Sequence, residues 1–136
     1  MFWFDKDNPL VDFQDIREEE CVLSDGQICA VKPNFIGDFT DMKMPDKSYK
    51  LVIWDPPHLV WAGKNSNLYA MFGKLDDWRS DLKKGFDECM RVLDDYGVLI
   101  LKWSDVQIKV KSIVKAIGRP PLLGTRRVGI VYGWYG

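Results

Sequence analysis

A chain of 136 residues that is 46% hydrophobic and carries one net negative charge can bury the core of a single domain, 1–136, and need not be disordered. No apolar run approaches the ~20 residues that span a bilayer, and Met1-Phe2-Trp3-Phe4-Asp5 lacks the basic stretch that opens a secretory signal. Cys21, Cys29 and Cys89 form no C-x-x-C pair, which argues against a metal site or a disulfide framework and for a cytoplasmic protein without membrane attachment.

In chain order, Asn8-Pro9 reads as a turn and Leu10 to Ile16 as a short strand. Glu20–Leu23 and Gln27–Val31 flank Ser24-Asp25-Gly26 and predict a hairpin. Phe35-Ile36-Gly37 is a short strand or strand end, and Pro45-Asp46-Lys47-Ser48 is a turn. Tyr49 to Trp54 is a buried strand that delivers Asp55 at its carboxyl end. The segment from Val60 to Lys74, with Gly63, Asn65, Ser66, Asn67 and Gly73, reads as a loop able to carry binding groups.

Trp78, Leu82, Gly85/Phe86, Cys89 and Leu93 recur at helical spacing, so residues 76–94 are predicted helical, with Asp76 or Asp77 as cap and Gly97 just beyond. Residues 97–103 form a strand around Val98-Leu99-Ile100-Leu101. Val106, Val110, Ile113, Val114 and Ile117 predict a second helix over 105–117, capped by Ser104 or Asp105 and stopped by Gly118. Val128 to Tyr135 is a last strand. Such alternation predicts α/β architecture with a mostly parallel central sheet, and the N-terminal hairpin at one edge of it. The apolar last strand offers a weak route to a homodimer. Residues 102–136 hold seven Lys/Arg against Asp105 alone. That basic end either meets phosphates or is a solvated face.

The chemistry concentrates in Asp55-Pro56-Pro57-His58. In open α/β sheets, ligands bind outside the carboxyl ends of strands. An exocyclic ring amine is a poor nucleophile because its lone pair is delocalised. Two acceptors aimed at its hydrogens favour a tetrahedral nitrogen and stabilise the positive charge that grows during attack. Asp55 supplies a carboxylate, Pro56 supplies a carbonyl whose direction proline geometry presets, and His58 can stack on the ring. The plainer alternative is a strand stopped by prolines with Asp55 as a cap. A lone histidine forms neither a metal site nor a nucleophilic triad.

Strand-Asp-Pro-Pro-ring resembles the catalytic motif of S-adenosylmethionine-dependent amino-methyltransferases of class I, which methylate adenine N6 or cytosine N4. The similarity covers about residues 34–104. It includes the segment Gly37-Asp38-Phe39-Thr40-Asp41 before the motif and the helix, glycine turn and strand of Gly85 to Trp103 after it. As a whole the sequence, with its Met1–Pro9 opening, resembles small methyltransferase-like proteins of phages and prophages. The resemblance implies a reduced Rossmann-like methyltransferase fold with an N-terminal hairpin, and S-adenosylmethionine as cofactor. It also implies a nucleic-acid partner, DNA before RNA. Asp38 stands where an acid binds the cofactor's adenine amine, with the Phe39 backbone flanking that ring. Asp15 stands for the acid on the ribose hydroxyls, Glu18 being a poorer candidate. Asp55 borders the cofactor as well as the amine.

The pattern departs from the family in three places. No Gly-x-Gly loop follows the N-terminal strand, Lys50 replaces an acid before the motif strand, and the motif ends in histidine. No target-recognition domain follows in the 136 residues. Base recognition is then expected from the 60–74 loop, the basic C-terminal segment, a second subunit or another protein. Trp61 and Trp103, near strand ends, are candidate stacking surfaces against a core alternative. Lys102 is placed to face the pocket, and Asn65 and Ser66 either read a base edge or are solvated. A non-catalytic relative that binds or assembles is the competing reading.

Overall fold

The computed structural model describes residues 4–23, 25–61, 74–127 and 130–135. Along them run β1 (Gln14–Asp15), β2 (Glu19–Val22), β3 (Ile28–Val31), β4 (Phe35–Ile36) and β5 (Tyr49–Trp54). There follow α1 (Trp78–Val92), β6 (Leu93–Trp103), α2 (Val110–Ile117), β7 (Leu123–Arg127) and β8 (Ile130–Tyr135). β1 pairs with β4 in parallel, β2 and β3 form an antiparallel hairpin, and a four-stranded sheet has the order β5-β6-β8-β7.

β5, α1 and β6 form a βαβ unit, since β5 and β6 pair in parallel with α1 between them. Leu51-Val52-Ile53-Trp54 aligns one for one with Val98-Leu99-Ile100-Leu101. Alternation sends Val52, Trp54, Leu99, Leu101 and Trp103 to one face, where they join Leu82, Phe86 and Cys89 of α1 and Ile113 and Ile117 of α2 in one core. Leu51 and Val98 point to the other face and are exposed. Asp77 caps α1 through the Ser80 N–H, and Gly118 ends α2 in the left-handed region at φ 80°.

The sheet differs from the sequence expectation in several respects. It is mixed: β8 is antiparallel to both β6 and β7, so β5, β6 and β7 run one way and β8 the other. The segment of the single predicted last strand is preceded by a further strand, β7, whose Leu-Gly-Thr-Arg-Arg sequence shows no alternation; pairing with β8 makes it a strand. β8 is hydrogen-bonded on both sides, so it offers no free edge for pairing across a dimer. The hairpin does not extend the central sheet. Its aliphatic cross-strand pair, Val22 and Ile28, is exposed and brings no apolar face to dock. Helix α2 begins at Val110 with Lys109 at its N-cap position, not at Ser104 or Asp105, because residues 104–108 bend back so that the Ile108 carbonyl meets the Trp103 indole. Gly97 lies inside β6, at an irregularity between Leu93 and Val98 where Tyr96 takes φ 62°.

The entry to β5 is clamped to the end of α1. The Arg91 guanidinium donates to the Met42 and Met44 carbonyls, to Asp46 and to Glu88, and Glu88 also accepts the Met42 N–H. Arg91 thereby holds the Glu88 carboxyl below its usual range, against the opposing effect of burial. Tyr49, at the start of β5, donates its hydroxyl to Asp12 at 2.8 Å. Burial first, and that bond second, push its ionisation up to about 12.

Gly85 gives a test of the packing. A Cβ there would run into the Phe39 ring and stand 2.8 Å from Trp54 Cζ2. Alanine gains about 1 kcal/mol of helix propensity, but overpacking costs about 1–3 kcal/mol. Gly85→Ala is therefore expected to lower stability in a urea melt, and an unchanged or raised midpoint would contradict this packing.

Candidate active site

Register builds the site. Trp54 stands opposite Leu101, so Asp55 and Lys102 leave the sheet side by side at the carboxyl ends of β5 and β6. The Lys102 ammonium donates to Asp55 Oδ2, with side-chain exposures of 21% and 39% for Lys102 and Asp55. Among the described residues, neither Asp55 Oδ1 nor the Pro56 carbonyl accepts a hydrogen bond. Pro56 is buried and Pro57 half-buried, so the turn is anchored in the protein beneath these two acceptors.

His58 meets Trp103 edge to face, with ring centroids 6.4 Å apart and planes at 80°. Trp103 itself is 1% exposed and donates its indole N–H to the Ile108 carbonyl at 2.9 Å. It is thus a buried wall behind His58 and presents no open stacking face. Burial lowers the His58 pKa; the neighbouring Asp55 acts to raise it and Lys102 to lower it further.

The chain leaving the turn is fixed by a residue that carries no signal in the sequence. Gln107 Oε1 accepts the Val60 and Trp61 N–H groups at 2.8 and 3.0 Å, and its Nε2 donates to the Trp61 carbonyl at 3.0 Å. Gln107 lies in the stretch read as helix, where a polar residue would be taken for a solvated face. Trp61 is 77% exposed, and so is open to stacking. Asn65 and Ser66 lie outside the described residues.

Of the residues singled out for the cofactor, Asp15, Asp38 and Phe39 lie at the ends of β1 and β4, whereas Asp55 lies at the end of β5. Asp15 pairs with Ile36, and the Gly37 N–H donates to the Asp15 carbonyl, so Asp15 and Asp38 stand at the carboxyl ends of neighbouring parallel strands. Asp38 Oδ1 accepts the Thr40 N–H and hydroxyl, both at 2.8 Å, and Asp15 Oδ1 accepts the Arg17 N–H and Nε–H. The second oxygen of each carboxylate takes no part in these bonds. The Phe39 ring turns inward and packs 5.8 Å from that of Trp54, which links this pair of strands to β5.

A cavity of about 410 Å³ lies at the other end of the sheet, lined by Asp46, Lys47, Arg91, Asp95 and Tyr96 among others. Arg91 pairs there with Asp46 and Lys47 with Asp95, Asp94 accepts the Asp95 N–H, and the cavity adjoins the clamp on β5. Among the described residues no group of His, Cys, Asp and Glu is arranged to hold a metal, and no helix is long and apolar enough to cross a membrane. Comparison of the chain with protein-family models, with curated proteins and with solved structures returns no match.

His58 is the one histidine of the chain, so its ring proton reports the site without ambiguity. Its titration by proton NMR is expected to fall below the ordinary 6.5. The folded protein then binds fewer protons than the unfolded chain in the window between the lowered value and 6.5, so His58 stabilises the fold above that window and loses its contribution as pH falls through the lowered value. Removing the ammonium in Lys102→Met is expected to raise the midpoint, and Asp55→Asn to lower it. A midpoint at or above 6.5 in the parent, or shifts of the opposite sign, would contradict the geometry.

Gln107→Ala removes three hydrogen bonds to the main chain and is expected to cost about 1–3 kcal/mol in a urea melt. It is also expected to speed amide exchange at Val60 and Trp61.

Proposed function

We propose that this chain transfers the methyl group of S-adenosylmethionine to an exocyclic amine of a nucleobase in DNA, adenine N6 or cytosine N4, on a reduced Rossmann-like methyltransferase fold. The observation that carries the reading is the pair of acceptors, Asp55 Oδ1 and the Pro56 carbonyl, which take no donor among the described residues, at the carboxyl end of a strand of a βαβ unit. Two such acceptors suit the two hydrogens of a ring amine.

Asp55 Oδ1 and the Pro56 carbonyl would each accept one N–H, draw the lone pair out of conjugation and offset the positive charge that develops on nitrogen. His58 would lie against the base. Burial lowers its pKa and so favours the uncharged imidazole, which suits a ring beside a nitrogen turning cationic. A base in duplex DNA would have to leave the stack to reach this turn.

The residues present fit the adenosine part of the cofactor. Asp38 and Asp15 would hold the adenine amine and the ribose hydroxyls through the carboxylate oxygens that their local bonds leave open. When bound, S-adenosylmethionine supplies a methyl group on a positively charged sulfur. No glycine-rich loop is available in the sequence for its methionine part.

One observation favours a second reading, a non-catalytic methyltransferase-like binding or assembly module of phage or prophage origin. All three acids already have local partners: Asp55 has Lys102, Asp15 has Arg17, and Asp38 has Thr40. Incubation of the purified chain with methyl-labelled S-adenosylmethionine and unmethylated DNA separates the two readings. Label on adenine or cytosine is expected, and Asp55→Ala is expected to lower the rate by about 10²–10³ with cofactor affinity kept. Cofactor binding without label on any DNA, RNA or free base would favour the module.

A further inference from the structure

We infer that Lys102 is a positioning residue for Asp55: its ammonium takes Oδ2 and so turns Oδ1 toward the incoming amine. The inference rests on the methyl-transfer reading and adds a residue to it that would act through Asp55 and not on the base.

The geometry points to this role in three ways. First, the pair is set by register and not by chance meeting of surface chains. Trp54 opposes Leu101 across the parallel ladder, both turn into the core, and the next residues, Asp55 and Lys102, emerge together. Second, the contact is one-sided. Lys102 Nζ engages Oδ2, and Oδ1 accepts nothing among the described residues. A carboxylate in water rotates freely, whereas one held by a single oxygen presents the other in a fixed direction. Third, the two side chains differ in exposure. At 21% the lysine is the more enclosed, so its stem is supported along its length while the carboxylate it holds reaches further into solvent, at 39%.

Charge sets a limit on what Lys102 can contribute. The pair is neutral, so the ammonium tempers the negative potential that Asp55 offers a developing cation, and it cannot act by electrostatic stabilisation of that charge. Orientation remains. A misplaced acceptor loses rate because near-attack geometry depends on small displacements. The neutral pair also spares an approaching phosphate backbone the repulsion that a bare carboxylate would exert.

The test compares the parent chain with Lys102→Met, which keeps the stem and removes the charge, and with Lys102→Arg, which keeps the charge. Methyl transfer is measured at varied DNA and cofactor concentrations, with folding checked by thermal melt and cofactor binding by calorimetry. Lys102→Met is expected to lower kcat about tenfold or more, while KM and cofactor affinity stay within about twofold. Lys102→Arg is expected to restore most of kcat, because a guanidinium can hold the same oxygen. Parent-level kcat in Lys102→Met, or a loss that appears wholly in KM, overturns the positioning role and leaves the methyl-transfer reading intact. A folded parent chain that binds cofactor and transfers no methyl group overturns the methyl-transfer reading, and the positioning role with it. If Lys102→Met fails to fold, Lys102→Gln takes its place with the same criteria.

Discussion

The parallel pairing of β5 with β6 is the constraint from which the rest of the site follows. Its register sends Trp54 and Leu101 into the core and brings Asp55 and Lys102 out beside one another. The same register ends β6 at Trp103, whose buried ring forms the wall that His58 meets. A slip of one residue would exchange the buried and exposed sets on β6 and turn Lys102 toward Leu82 and Phe86. Exposing Leu99, Leu101 and Trp103 and burying that ammonium unpaired both oppose such a slip.

The site is rigid at its base and open at its tip. Pro56 and Leu59 are buried, Gln107 ties the main chain at Val60 and Trp61, and Trp103 is held through its indole N–H. Above this base stand the two acceptors and the exposed Trp61. A preorganised pair of acceptors on a fixed backbone needs little reorganisation when charge develops in front of it. The Arg91–Glu88 clamp at the opposite end of β5 fixes where the strand begins, and so where it ends.

Much of this was legible in the sequence, for identifiable reasons. The β5 run has its predicted bounds because four apolar residues meet a turn at one end and two prolines at the other. α1 buries the face that its spacing announced. The Asp55–Lys102 pair was readable in principle: Leu-Val-Ile-Trp-Asp laid beside Val-Leu-Ile-Leu-Lys puts acid against base once the strands are taken as parallel neighbours. Trp103 was harder, since a tryptophan at a strand end can face either way, and only the bend over residues 104–108 closes it in. β7 and Gln107 left no signal. A strand with Gly, Thr and two arginines exists through its partner, and a glutamine that caps main-chain groups far away in sequence looks like any polar surface residue. Local pattern records burial periodicity; it does not record tertiary hydrogen bonds.

The proposal that most needs testing is that Asp38 and Asp15, at the ends of β1 and β4, hold S-adenosylmethionine for an amine at Asp55 without a glycine-rich loop. The most direct measurement is a calorimetric titration of the chain with S-adenosylmethionine and with its demethylated product. Binding at one molecule per chain is expected, weakened by Asp38→Ala and left largely unchanged by Lys102→Met. The absence of measurable binding at millimolar ligand would contradict the account.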